Sequence, residues 1–311
     1  MRQMITRENV TALTELARVE YGWITQVRWS PTGDTLAIIG GEGVWLYLGS
    51  FGNAPTYELT GHTGHVKAGA FSPDGRWFAS ASADTTIHLW ELDDLEAGPI
   101  ILKGHTGSVE TLAFSPSGHL LASGGADGTL RLWSQERLHN TIHGHEAEVE
   151  SLAFALRGAV LVSGGRDKTV RLWDVANETA GTILGEHQDW VREVAVNESG
   201  TMIASAGRDM TIRLWDAYGD ETYATIRAHY GGVDTIAFSP ESKLLASGGR
   251  DHMVRLWSIE DALQTGTIQE DEALLALAEH EKPVLSMAFN SSGTLLATGS
   301  GDNTVRLWGV P

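Results

Sequence analysis

Apolar and polar residues alternate in short runs along most of the chain, and the runs repeat. Around Ser163-Gly-Gly-Arg-Asp-Lys-Thr-Val-Arg-Leu-Trp173 two such runs flank a turn at Asp167. A period of two predicts strands, and the polar turn between them predicts a hairpin whose second strand ends near Trp173. The frame recurs at Ser123–Trp133, Ser205–Trp215, Ser247–Trp257 and Thr298–Trp308, with a looser copy at Ser80–Trp90. A hydroxyl residue (Ser80, Ser123, Ser163, Ser205, Ser247, Thr298) stands four positions before an Asp (Asp84, Asp127, Asp167, Asp209, Asp251, Asp302). A Trp (Trp90, Trp133, Trp173, Trp215, Trp257, Trp308) follows six positions later.

Each copy has a second anchor upstream. His62, His105 and His145 follow a Gly, whereas His187, His229 and His280 keep the His alone. Four residues after each His comes a Val, at 66, 109, 149, 191, 233 and 284. Nine after it comes Phe71, Phe114, Phe154, Val196, Phe238 or Phe289, and then a turn such as Ser72-Pro-Asp-Gly75, whose Pro and Gly suit a type I turn. Each repeat reads as four short strands. A seventh, degenerate copy opens the series. Trp29-Ser-Pro-Thr-Gly33 matches the turn and Ile24 the apolar slot, while Glu20, Ile38, Glu42 and Tyr47 take the places of His, hydroxyl, Asp and Trp.

Four short strands in roughly 40–45 residues, with Gly-His at one end and Trp at the other, resemble the WD-repeat β-propeller family over residues 20–311. The resemblance implies an all-β, seven-bladed β-propeller with four antiparallel strands per blade, residues 1–311 forming a single domain. Trp308 lies three residues from Pro311, so the last repeat lacks a fourth strand, and an open sheet edge is a liability. Residues 1–19 are therefore expected to supply the outer strand of blade 7, with strand near 12–18 after a short helix at 6–11.

Ser or Thr, His and Asp in six of the seven repeats also suggest a hydrolase triad. A catalytic site is needed once, however, and this set occurs six times. The resemblance implies a buried relay instead, in which Asp meets His, His meets the hydroxyl, and the hydroxyl meets the indole N–H, leaving no polar group unpaired. The Gly pairs at 124–125, 164–165 and 248–249 lack the Lys and helix of a phosphate loop and fit close strand packing.

Composition narrows the partners. The chain of 311 residues carries a formal net charge of −18, which disfavours nucleic acid and anionic membrane. It has no Cys, so thiol catalysis, disulfides and thiolate metal sites are excluded. No apolar run is long enough to span a bilayer, and residues 1–10 lack a signal-peptide core. His143 and His145 form an HxH pair, but His145 is already an anchor, so an exposed His143 and no metal are expected. The reading is a cytoplasmic monomer without cofactor. Arg outnumbers Lys, which together with the turn chemistry suggests a bacterial source.

In this family the face bearing the His loops and Asp turns, called top here, is the usual interaction surface. Just before the turn Asp stand Arg166, Arg208 and Arg250 in three successive blades. Just after the apolar start of the first strand stand Thr25, Lys67, Glu110, Glu150, Arg192, Asp234 and Leu285. Either Glu150, Asp234 and Glu110 neutralise Arg166, Arg250 and Arg208, or the arginines form an arc for carboxylate or phosphate. Trp190 and Tyr230 add aromatic contact residues to the same face; Trp23 is expected to cap its blade. An acidic insertion at 258–271 is either a tolerated surface loop or a lip on the opposite face. The function expected is a non-catalytic scaffold that binds a protein or peptide. The alternatives are an enzyme or small-molecule sensor at the channel mouth, or a sensor propeller paired with a separate signalling effector.

Overall fold

A computed structural model describes residues 2–41, 43–49, 51–52, 54–134, 137–177, 181–219 and 222–311. Glu42, assigned the Asp place of the first repeat, lies outside the described residues. Among those residues the strands form seven sheets around a central channel, a seven-bladed propeller in which antiparallel strands run outward from the channel in sequence order. Blades 1 to 7 begin with the inner strands Ile24–Trp29, Val66–Phe71, Val109–Phe114, Val149–Ala155, Val191–Val196, Val233–Phe238 and Val284–Phe289.

Blade 7 is completed from the other end of the chain. Thr14–Glu20 pairs antiparallel with Thr304–Gly309, from Thr14 opposite Gly309 to Glu20 opposite Thr304. The strand starts two residues later than expected, and the helix is a single 3-10 turn, Val10–Ala12. The cause is packing: Ile5, Val10 and Leu13 are buried in one cluster with Leu296, Trp308 and Val310, which holds residues 5–13 beneath the blade. Arg306 donates to Glu15 across the closing seam.

Every inner strand carries a bulge after its first residue, so that Thr25, Lys67, Glu110, Glu150, Arg192, Asp234 and Leu285 leave the ladder. Bulges re-aim side chains, and these seven face the upper channel mouth. The residue that follows joins neighbouring blades. Ser286 accepts from the Val27 N–H (3.0 Å), Gln26 from Gly69 (2.8 Å), Thr111 from Leu152 (3.2 Å), Ser151 from Val194 (3.1 Å), Glu193 from Ile236 (2.8 Å) and Thr235 from Met287 (3.1 Å). Ala68 leaves the remaining seam without such an acceptor. Close approach demands glycine at Gly164 and Gly165. A Cβ on the first would sit 2.4 Å from Val191 of the next blade, and one on the second 2.9 Å from the His145 ring.

The acidic insertion is an ordered element with a helix and a strand of its own. Ser258 caps the helix Ile259–Thr265 by accepting from the Asp261 N–H, and Gly266 ends it at φ 70°. Thr267–Ile268 then adds a fifth, parallel strand to blade 5 before Leu275–Leu277 returns to blade 6. Ile259, Ala262 and Ile268 are buried against Ile212, Leu214, Ala224 and Ile226, so the insertion braces two blades. No described helix is long and apolar enough to cross a membrane.

Deleting residues 2–20 should abolish the single cooperative transition in calorimetry and expose dye-binding apolar surface. An unchanged melting curve would contradict the closure.

Candidate functional site

The six relays are built alike. In blade 4 the Asp turn and the His loop bring His145 Nδ1 within 2.8 Å of Asp167 and Nε2 within 2.6 Å of Ser163, while the Trp173 indole N–H donates to Ser163 at 2.8 Å. Because the Ser163 oxygen accepts from Trp173, its own proton goes to His145 Nε2, and Nδ1–H donates to Asp167. Corresponding contacts run His62–Asp84–Ser80–Trp90, His105–Asp127–Ser123–Trp133, His187–Asp209–Ser205–Trp215, His229–Asp251–Ser247–Trp257 and His280–Asp302–Thr298–Trp308. All six hydroxyl residues are 0% exposed. A nucleophile must reach substrate with its proton transferable to a base; these hydroxyls are sealed and fully used.

Burial pushes the Asp127 carboxyl up, but the Thr106 N–H, the Thr129 hydroxyl and His105 outweigh it and hold it at about 2. Asp251 is likewise held at about 2, burial being overcome first by His229. Burial lowers His105, His229 and His280 despite their carboxylate partners. Blade 6 departs from the pattern. Met253 replaces the turn Thr, and Arg255 donates instead to Asp251 (2.7 Å) and to Glu270 of the insertion (2.8 Å). In blade 1 Trp45 and Tyr47 fill the Arg and Trp places; the Tyr47 hydroxyl bonds to Tyr21, whose ring stacks on Trp45 at 4.5 Å.

Two histidine pairs stand at metal-ligand spacing, His143 with His145 and His62 with His88. His143 is exposed and His145 is committed to its relay. His62, Asp84 and His88 bring three ligand atoms within 4.8 Å of one another, a cluster the sequence reading missed because His88 stands where later blades carry Arg. The two imidazoles are stacked, with centroids 3.6 Å apart and planes 18° apart. Their lone pairs lie in nearly parallel planes, and no one ion can occupy both. Burial, then His62, lowers His88 to about 4, so it is a neutral stacking partner.

The upper mouth is a cavity of about 430 Å³ lined by Lys67, Glu110, Glu150, Arg166, Arg192, Asp234, Arg250 and Trp23. Below it Arg28 of blade 1 meets Glu193 of blade 5 at 3.6 Å across the channel, and burial raises the Glu193 carboxyl. Much of the expected arc is internally neutralised. Arg166 pairs with Glu150 and, at 3.0 Å, with Glu148; Arg192 bridges Glu150 and Asp234; Arg250 lies 3.2 Å from Asp234. Glu110 pairs with Lys67 at 3.9 Å rather than with Arg208. Arg208 instead stacks on Trp190 at 4.5 Å, with Arg166 against the same ring at 4.5 Å. Trp23 is 62% exposed and Tyr230 70%, so Trp23 is no cap and both face solvent.

The family described as "WD domain, G-beta repeat" matches residues 53–91, 99–134, 136–174, 179–216, 220–258 and 272–309, most of the chain. The periodic tryptophan protein 2 homolog of Schizosaccharomyces pombe is 54% identical over 44 residues, 14% of this chain and 5% of its own length. The target of rapamycin complex subunit wat1 of the same yeast is 38% identical over 64 residues, 20% of each chain. The small ribosomal subunit protein RACK1y of Oryza sativa subsp. japonica is 37% identical over 90 residues, 26% of each. The chain thus spans about a quarter or less of the length of these curated relatives. They are eukaryotic, and the expected bacterial source is not borne out.

Two outcomes follow from the relay. Ser163→Ala strands the Trp173 N–H and His145 Nε2 and should cost roughly 1–3 kcal/mol per group in urea denaturation; a neutral variant would contradict the relay. The lowered His and Asp groups bind protons more weakly folded than unfolded, so the stability they contribute is full above pH about 6.5. It falls as pH drops below that value and again below about 3.9, where the carboxylates begin to titrate. Asp127→Asn should make the limb between pH about 3.9 and 2 shallower, the other relay carboxylates keeping their share; a wild-type limb would show that Asp127 carries none of it.

Proposed function

From the premise that this chain belongs to the WD-repeat family, we propose that it is a non-catalytic scaffold whose top face receives a protein or peptide. One observation carries the reading: all six nucleophile candidates are sealed inside the blades, while Trp23 and Tyr230 stand 62% and 70% exposed on the face that the loops build. Exposed Trp, Tyr and Arg are the residue types that anchor protein interfaces. A relative named as a subunit of the target of rapamycin complex is consistent with a role in assemblies. Arg166, Arg192, Arg250 and Lys67 form the charged frame of the surface, with Trp190, Arg208 and Tyr230 as its contact residues. The runner-up, a small-molecule site, is favoured by the 430 Å³ mouth closed below by Arg28 and Glu193.

The test compares affinity capture by the wild type, a Trp23→Ala/Tyr230→Ala variant and a Leu263→Ala variant on the helix of the insertion. A partner lost only from the Trp23/Tyr230 variant is expected. One lost only from the Leu263 variant would move the interface elsewhere, and turnover of a small substrate by the wild type would favour the runner-up.

A further inference from the structure

Within blades 4 to 6, the Arg before the turn Asp has two positions from which a carboxylate can reach it. One is the bulge residue of the inner strand; the other is the third residue after the His. In blade 4 these are Glu150 and Glu148, and both pair with Arg166. In blade 6 the bulge residue Asp234 pairs with Arg250, and the loop position is Gly232. In blade 5 they are Arg192 and Trp190, neither of which can accept. Arg192 also takes the neighbouring acceptors, Glu150 and Asp234.

Arg208 is consequently exceptional. Among the described residues, every other arginine that is buried or half-buried lies within 4.0 Å of a carboxylate, and Arg208 does not. Its Nε is buried without an acceptor. Burial, then the like charges of Arg250 and Arg192, lower its proton affinity. Its guanidinium carbon lies 4.5 Å from the Trp190 ring centroid, a contact that places the fork beside that ring before any ligand arrives. The loop beside it, Gly231–Gly232, runs at φ 80° and 118°, and a Cβ on Gly232 would sit 3.1 Å from the Arg208 backbone. The glycine pair leaves that flank bare, next to the exposed Tyr230.

The geometry points to Arg208 as a receptor for one carboxylate of a docked peptide, held by the guanidinium fork beside Trp190 and Tyr230. This rests on the top-face reading. Charge selects the ligand. Arg166, Arg192 and Arg250 each lie within 4.0 Å of Glu148, Glu150 or Asp234, whereas Arg208 feels Asp234 and Asp189 only from beyond that distance, and the chain as a whole stands at −18. A single carboxylate adds one negative charge beside the free fork, whereas a phosphate dianion adds about two to an already acidic protein.

The probe is a displayed library of random 12-residue peptides with blocked C-termini, selected on the wild-type protein. Enriched sequences are then synthesised in acidic, amide and phosphoserine forms, each with a free and an amidated C-terminus. Enrichment of Asp or Glu at one fixed position is expected. Arg208→Gln should weaken the acidic peptide at least tenfold, about 1.4 kcal/mol, and leave the amide form unaffected. Arg208→Lys, which keeps the charge and loses the fork, should fall between, and both variants should melt as the wild type does. Peptides that dock on this face with no acidic position, that bind Arg208→Gln equally well, or that prefer phosphoserine would overturn the assignment and leave the top-face reading standing. A contribution from the free C-terminus alone would overturn the side-chain form. Failure to select any peptide would count against the top-face reading itself, and this assignment would fall with it.

Discussion

A sheet with an unpaired edge must find a partner, and a ring of sheets can satisfy that demand only if the two ends of the chain meet. The pairing of Thr14–Glu20 with Thr304–Gly309 is that meeting. Around the channel the inner strands do not pair with one another. At six of the seven seams they are joined by a side chain two residues into the strand, which accepts from the backbone of the next blade. Closure on the outside and this belt on the inside are complementary: one covers an edge with backbone, the other with hydroxyl, amide and carboxylate groups.

Inside each blade the His–Asp–hydroxyl–indole relay solves a different problem. It ties the loop on top to the turn beside it and to the Trp at the far end of the third strand. Where an element of the pattern is missing, the blade finds a substitute: Tyr21 with Tyr47 and Trp45 in blade 1, stacked His62 and His88 in blade 2, Arg255 reaching Glu270 in blade 6. These substitutes satisfy local bonding and explain why a degenerate first repeat still folds as a blade.

Much of this was legible in the sequence because the period carries it. The spacing of Ser163, Asp167 and Trp173, copied six times, specifies both the strands and the relay, and the missing last strand pointed to the N-terminal segment. Other features were not legible, for physical reasons. The N-terminal strand is displaced because Ile5, Val10 and Leu13 bury themselves beneath blade 7, a tertiary preference that local pattern cannot reveal. Trp23 was read as a blade cap and proves exposed. The insertion's parallel strand depends on a partner, Thr222–Arg227, from another blade. Of the arginine arc, the paired members could be listed from sequence, but not which one would be left over. That outcome turns on the bulges, which aim Arg192 between Glu150 and Asp234. A comparison of Glu148, Trp190 and Gly232 across repeats was the signal that could have found it.

The scaffold reading needs a face that stays in one shape, and that rigidity comes from closure. Amide hydrogen exchange of Thr14–Glu20 against Thr304–Gly309 tests it most directly. Closure predicts that the paired amides of both segments exchange slowly and together, with the free energy of global unfolding. Rapid exchange of 14–20, with 304–309 still protected, would show an open ring and contradict the account.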